Sequence, residues 1–147
     1  MRVFDAVCAS HWAITEEGLQ VIQEIASREN EVNPETLEAY RAQSLARAER
    51  ATRRDGVAML YVQGSLFKRA NLMTEYSGAT SYDVLRRDLQ VALDDPSING
   101  IALVIDSPGG EVNGVGEFAK AVYEARGVKP VTAFVSGMAA SGGSWTA

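Results

Sequence analysis

Three short apolar runs, separated by segments with helical periodicity, constrain the fold of this chain more than any other feature of its sequence. The runs lie at 57–62, 98–105 and 131–135, and the helical segments lie at 82–93 and 114–126. Strands that are apolar on both faces and alternate with helices are typical of a parallel sheet with right-handed crossovers. The sequence therefore predicts an α/β fold.

The N-terminal part of the chain is more polar, and residues 13–54 have helical periodicity. Its second predicted helix spans roughly 34–52, with Arg53 and Arg54 at the C-terminal end, where the helix dipole favours basic residues. The arginines could contact RNA or a scaffold protein, but a solvated helix end is the favoured interpretation, because runs of charge usually face solvent. The apolar stripe is thin, so we expect this segment to pack on a partner subunit rather than form its own core. The predicted division is a helical segment, 1–54, followed by residues 55–147.

Size and charge exclude several classes of protein. The chain has 147 residues and a net charge of −5, which argues against a nucleic-acid binder that works through bulk charge. Its one cysteine, Cys8, cannot form an internal disulfide, and its one histidine, His11, argues against a Ser-His-Asp triad or a histidine-rich metal site. No apolar run reaches the roughly 18–20 residues of a membrane span. We expect no metal, cofactor, nucleic acid or membrane span.

Two glycine-rich turns, at 107–110 and 137–143, follow the second and third predicted strands. Ligands of open parallel sheets bind at the carboxyl ends of the strands, so both turns are expected at the site. The paired glycines Gly109 and Gly110 let backbone N–H groups approach an anion or a polarised carbonyl. On its own such a turn is more often only a turn, and it matches neither the Walker nor the dinucleotide-binding pattern.

Ser141, between small residues at the start of a predicted helix, has the placement of a nucleophile. A helix N-terminus with free N–H groups stabilises developing negative charge. Ala139 occupies the position of the first glycine in the G-x-S-x-G pattern, so that pattern is not matched. The alternative is that Ser141 only caps the helix.

These motifs carry a resemblance. The stretch 101–110, followed by 131–143, resembles the signal peptide peptidase A (SppA) family of serine peptidases, in the Clp protease/crotonase superfamily, and especially its bacteriophage head maturation proteases. The start at 12–16 is similar to the one that precedes the core in that branch, and the resemblance covers about 12–147. It implies a Clp/crotonase-like parallel sheet of ββα-type repeats, incomplete at the C-terminus, with 55–147 as the N-terminal part of a peptidase domain.

The resemblance also implies residue roles. Ser141 would be the nucleophile, and the N–H groups of Gly109 or Gly110, with that of Gly142, would form the oxyanion hole. The family's general base is a lysine some tens of residues beyond the nucleophile, a position that lies beyond Ala147. We therefore expect the nucleophile and the oxyanion hole without the base.

This chain has three lysines of its own, Lys68, Lys120 and Lys129. Lys120 is predicted on the solvent face of a helix, and Lys129 at the opposite end of the sheet from the site. Lys68 follows the first strand at the correct end, but a lysine there is more often a surface residue.

A few side chains depart from the family pattern or fill out its packing. Ser144 and Thr146 stand where the family usually has an aromatic and an aliphatic residue, and Trp12 and Trp145 are predicted to be packing residues. The segment 67–81 either lines a groove where an extended substrate adds a strand or is an ordinary loop.

The function implied by the resemblance is a serine endopeptidase of the Ser-Lys type that cuts phage scaffold or capsid polypeptide. A homo-oligomer in the bacterial cytoplasm or the phage procapsid is expected with it. One alternative is an inactive fragment or an assembly module without proteolysis. Another is a crotonase-type acyl-CoA enzyme, although that chemistry needs no serine nucleophile in the Ala-Ala-Ser-Gly-Gly turn.

Overall fold

The computed structural model describes residues 3–28, 35, 38–39, 42, 52–70 and 79–147. The predicted helix over 34–52 lies largely outside these residues. In chain order the elements are α1 (Val3–Ala9), β1 (Trp12–Ile14), α2 (Glu16–Arg28), β2 (Thr52–Arg54), β3 (Val57–Gln63), β4 (Leu66–Phe67), β5 (Thr80–Ser81), α3 (Tyr82–Asp94), β6 (Gly100–Ser107), β7 (Gly109–Glu111), α4 (Val115–Ala125), β8 (Val131–Ala139) and a 3-10 helix (Ser141–Thr146). No helix in these described ranges combines the length and hydropathy that crossing a bilayer requires.

The larger sheet has the strand order β2-β3-β6-β8, and β3, β6 and β8 run parallel. This confirms the predicted α/β fold with a parallel sheet. Leu103 of β6 lies between Leu60 of β3 and Ala133 of β8, so all three strands run in one register. Their carboxyl ends meet at one edge, which brings the segments after β6 and β8 together as predicted.

The helices cover the sheet and close its core. Ser81 caps α3, because its Oγ accepts a hydrogen bond from the Val84 N–H at 3.2 Å, as its position before the apolar stripe predicts. Leu89 of α3 and Phe118 of α4 are buried in the same apolar cluster as Leu103. The helices predicted at 82–93 and 114–126 are therefore confirmed within about a residue.

The predicted helical end at Arg53 and Arg54 is wrong, because both residues lie in β2, antiparallel to β3. Asp55 and Gly56 between the strands have φ of 51° and 78°. Positive φ at both positions is the type I′ turn that Asp-Gly favours in two-residue hairpins. The turn chemistry at this dipeptide overrides the helical periodicity before it.

The smaller sheet has the order β1-β7-β4-β5, with β1 antiparallel to β7. It corrects two expectations, since the turn at Gly109 and Gly110 is a strand, and the segment 64–80, whose composition is typical of a loop, contains β4 and the first residue of β5. Phe67 of β4 packs with Ile22 of α2 in a second apolar cluster. The first predicted helix therefore packs on this chain itself rather than only on a partner.

Strand β8 is the least buried of the three parallel strands of the larger sheet, against the prediction that these strands are apolar and buried on both faces. It forms an edge of that sheet within the described part of the chain, and Phe134 in it is 62% exposed. Trp145 is 72% exposed, so its predicted role as a packing residue is also wrong. An edge strand has neighbours on one side only, which the apolar pattern of the strand does not reveal.

Candidate active site

Ser141 lies where the end of β8 turns into the 3-10 helix, beside the end of β6. The Ala140 N–H donates to the Ser107 carbonyl at 3.1 Å, which fixes the two strand ends together. The cap residue of the 3-10 helix is Ala140. Ser141 is therefore the first residue of the helix rather than its cap, and the alternative that it serves as a cap is wrong.

The backbone of Ser141 is unusual, because its φ is +49° while its side chain is exposed. The left-handed region costs a residue with a Cβ about 1–2 kcal/mol. Strained residues of this kind often stand at active sites, held by the surrounding structure. Here the bond from Ala140 and the buried Gly142 and Gly143 hold the turn.

Gly109 and Gly110 are buried because β7 lies between two strands that approach it closely. Gly109 has a φ of +110°, and a Cβ there would collide with the Ala13 carbonyl oxygen of β1. A Cβ on Gly110 would collide with the backbone of Leu66 in β4. Glycine is thus required at both positions by close approach of backbone on either side.

The N–H of Gly109 has a partner within its own loop. It donates to Ser107 Oγ at 3.2 Å, and that hydroxyl donates to the Gly64 carbonyl at 2.7 Å. Ser107 is fully buried and so holds the glycine strand in place. Its role was not predicted, although a small hydroxyl residue just before a Pro-Gly-Gly turn is the signal that indicates it.

The N–H of Gly110 faces β1. Ala13 lies opposite Gly110 in the antiparallel register, and two residues along the ladder the Thr15 N–H donates to the Pro108 carbonyl at 3.0 Å. Hydrogen-bonded pairs recur at every second residue of an antiparallel ladder. Ala13 and Gly110 are therefore such a pair, and the Gly110 N–H donates to the Ala13 carbonyl.

Gly142 completes the surroundings of that carbonyl. A Cβ on Gly142 would lie 3.1 Å from the Ala13 oxygen and 3.4 Å from the Gly110 nitrogen. The structure thus brings the predicted residues Gly109, Gly110 and Gly142 around one peptide carbonyl oxygen, next to Ser141. Ala13 itself was missed, because nothing in its local sequence marks it as part of a site.

A buried tyrosine closes the pocket from the helix side. Tyr82 Oη donates to the Glu111 carbonyl at 3.3 Å and lies 3.4 Å from the position of a Cβ on Gly142. Burial, and then the charge of Glu111, raise the pKa of Tyr82 above its ordinary value, so its hydroxyl stays neutral. It is a fixed hydrogen-bond donor in this pocket rather than a proton acceptor.

The three lysines bond to other groups or are exposed. Lys68 Nζ donates to Asn113 Oδ1 at 3.1 Å, Lys120 is exposed, and Lys129 Nζ donates to the Ala92 carbonyl at 2.7 Å at the far end of α3. Within the described ranges no hydrogen bond joins a lysine to the candidate serine. No group of three or more metal-binding side chains occurs there either.

The side chains after Ser141 stabilise the 3-10 helix. Ser144 Oγ donates to the Ser141 carbonyl at 2.7 Å, and the buried Thr146 Oγ1 donates to the Gly143 carbonyl at 2.8 Å. Both side chains that depart from the family pattern therefore form hydrogen bonds within the 3-10 helix.

Comparison with known proteins gives several relatives, whereas no family model matches the chain. It is 39% identical over 89 residues to capsid assembly protease C of Escherichia phage lambda, which is 60% of this chain and 20% of that protein. It is 40% identical over 87 residues to the head-tail preconnector protein GP5 of Enterobacteria phage P21, 59% of this chain and 17% of that protein. Protease 4 of Salmonella typhi is 32% identical over 90 residues, 60% of this chain and 14% of that protein.

The chain thus spans a fifth or less of the length of the curated relatives it matches. Two of the three carry names of phage head assembly, and two are named proteases. Together with the fold and the glycine motifs, these relatives support the resemblance of the chain to the SppA-like family of phage head maturation proteases.

Proposed function

We propose that this chain carries the nucleophile and the oxyanion-binding groups of a serine endopeptidase. The observation that supports it is the arrangement at the carboxyl ends of β6 and β8. There, Gly110 and Gly142 surround a peptide carbonyl oxygen beside the exposed, positive-φ Ser141. A pocket that accepts a peptide carbonyl in the ground state is suited to the oxyanion that forms from it.

In the proposed reaction Ser141 Oγ attacks the carbonyl carbon of a bound polypeptide. The carbonyl oxygen becomes negatively charged, and N–H groups of Gly110 and Gly142 stabilise it. Donors of this kind contribute about 10²–10³ in rate each. The serine proton passes to a base and then to the leaving amine, which leaves an acyl-enzyme that water hydrolyses.

We propose that the base is a lysine outside the 147 residues, as the resemblance implies. The three lysines of this chain bond elsewhere or point to solvent. A base lysine needs a depressed pKa, which burial supplies and an exposed position such as that of Lys120 does not. The matched relatives are much longer than this chain, which supports a base located in further sequence.

The proposed substrate is phage capsid or scaffold polypeptide, because relatives are named for capsid assembly and for the head-tail preconnector. In this proposal residues 55–147 form the N-terminal part of the peptidase domain. Residues 1–54 form a segment that docks on it through β1 and β2. The protein would act as a homo-oligomer in the bacterial cytoplasm or the procapsid.

The test is labelling with a fluorophosphonate probe, which reacts with activated serines. A form extended by the sequence that follows residue 147 in its gene should label, its Ser141→Ala variant should not, and its Ser27→Ala variant, which changes an exposed serine of α2, should label normally. The 147-residue form should label at least a hundredfold more slowly. Substrate cleavage by the extended Ser141→Ala variant would exclude Ser141 as the nucleophile, and an extended form that neither labels nor cleaves would favour the assembly module without proteolysis.

A further inference from the structure

Strand β1 lies in the position that an extended peptide substrate needs. Peptides commonly bind by adding a strand to the exposed edge of a sheet, where main-chain hydrogen bonds give affinity. One edge of β7 pairs with β4, and the other pairs with β1. The edge of β7 next to the 3-10 helix that begins at Ser141 is thus filled by the chain's own residues 12–14.

The carbonyl oxygen of Ala13 lies where the carbonyl oxygen of a bound substrate is expected. The Ala13 carbonyl accepts the Gly110 N–H and lies against Gly109 and Gly142. Gly110 and Gly142 are the two glycines to which the proposed function assigns the oxyanion, and Gly109 adjoins them in β7. A substrate carbonyl can bond to the Gly110 N–H only when the Ala13 carbonyl leaves it, because both oxygens would need the same position.

The neighbours of Ala13 anchor the strand on both sides. Trp12 Nε1 donates to the Val7 carbonyl at 2.9 Å, and its ring packs edge-on against Phe67 at 5.5 Å between centroids. Ile14 packs against the same apolar cluster. The strand therefore presents a small residue to the pocket between two large apolar residues that hold it there.

We propose that β1 is an internal pseudosubstrate. It fills the substrate-strand site of β7, and a polypeptide must displace it to reach Ser141. This inference rests on the proposed function, and it further assigns the ligand class of the site as an extended segment with a small residue between two apolar ones. A three-residue strand has few bonds to break, so its release is compatible with a working enzyme.

The test is binding of a peptide with the sequence of residues 9–17, carrying a nitroxide spin label at its N-terminus, to the 147-residue chain, followed by the amide NMR signal of Gly110. The labelled peptide should broaden that signal at millimolar concentration. A labelled peptide with proline in place of the alanine that corresponds to Ala13 lacks the N–H that pairs with β7 and should not broaden it. Equal broadening by both peptides, or none by either, would overturn the proposal.

A variant sharpens the measurement. Trp12→Ala removes the anchor of β1 and should tighten peptide binding at least tenfold and speed hydrogen exchange of the Gly110 amide by a similar factor. Tyr123→Ala removes an aromatic ring that is exposed on α4 and should change neither. If Trp12→Ala does not fold, the same measurements are made on Ile14→Ser. The peptide titration of the wild type tests the proposal whether or not either variant folds.

The outcome is separate from that of the proposed function. Peptide binding needs no reaction, so the two proposals can fail separately. If the chain binds the peptide but its extended form does not label at Ser141, the strand site stands and the peptidase assignment is wrong. If the extended form labels but the peptide leaves the Gly110 signal unchanged, the peptidase assignment stands and the pseudosubstrate proposal is wrong.

Discussion

The positive φ of Ser141 has a consequence for stability that is independent of activity. Glycine adopts the left-handed region without the steric cost that a Cβ brings. We expect Ser141→Gly to have a free energy of unfolding about 1 kcal/mol higher than that of Ser141→Ala, measured by urea denaturation. At Ser144, which lacks a positive φ, the same pair of substitutions should reverse the order. Equal stabilities of the two Ser141 variants would show that the turn is not strained.

Asp88 of α3 is a second residue whose surroundings predict a measurable effect. Its Oδ1 is buried without a hydrogen-bond partner among the residues that the structure describes, and burial raises its pKa from 3.8 to about 7. The folded state therefore binds a proton that the unfolded state releases between about pH 4 and 7. Stability should rise as the pH falls from 8 to 5.

Urea denaturation at several pH values checks this expectation. Asp88→Asn should flatten the dependence on pH, because the amide carries no charge to desolvate. Asp94→Asn changes an exposed carboxylate on the same helix and should leave the slope in place. A wild-type protein whose stability rises from pH 5 to 8 would contradict the sign of the shift.

At the scale of elements, the tight packing of β7 between β1 and β4 explains why its glycines cannot be replaced. In Gly110→Ala the new methyl group meets the Leu66 carbonyl, which is backbone and cannot rotate away. We expect a loss of about 1–3 kcal/mol in the free energy of unfolding. Gly116→Ala is the matched control, since nothing lies within 4 Å of a Cβ there and the helix should gain about 0.5–1 kcal/mol. A Gly110→Ala variant as stable as the wild type would contradict the packing of β7.

The elements also show what the sequence could and could not predict. Ser81 and the apolar stripe after it define α3 locally, so its start was predictable to the residue. Strand β7 was not, because Gly109 and Gly110 have no strand propensity and are extended only by contacts with β1 and β4. The Asp55-Gly56 turn was a readable hairpin signal that the helical periodicity of the preceding residues obscured.

For the whole molecule, the parallel direction of β3, β6 and β8 and the meeting of two glycine segments at one sheet edge follow from the alternation of strands and helices. The sequence motifs also name Ser141 and the three glycines. The occupant of the pocket does not follow from them, because Ala13 reaches Gly110 from almost a hundred positions away through pairing of β1 with β7. Local periodicity carries no information about contacts at that separation, and the same holds for the exposure of β8.

The exposed edge strand β8 predicts self-association of this chain. Phe134 is 62% exposed and Trp145 is 72% exposed, and no strand of the described part of the chain pairs with the outer edge of β8. Apolar surface of this kind on a sheet edge favours pairing with another chain, and charge on the edge opposes it. The average mass measured by light scattering should rise with concentration for the wild type and stay at the monomer value for Phe134→Lys. Tyr123→Lys places the same charge on a 71% exposed residue of α4 and should associate as the wild type does. A wild type that stays monomeric over the same range would contradict the predicted association. A Phe134→Lys variant that still associates would show that the subunit contact does not lie at β8.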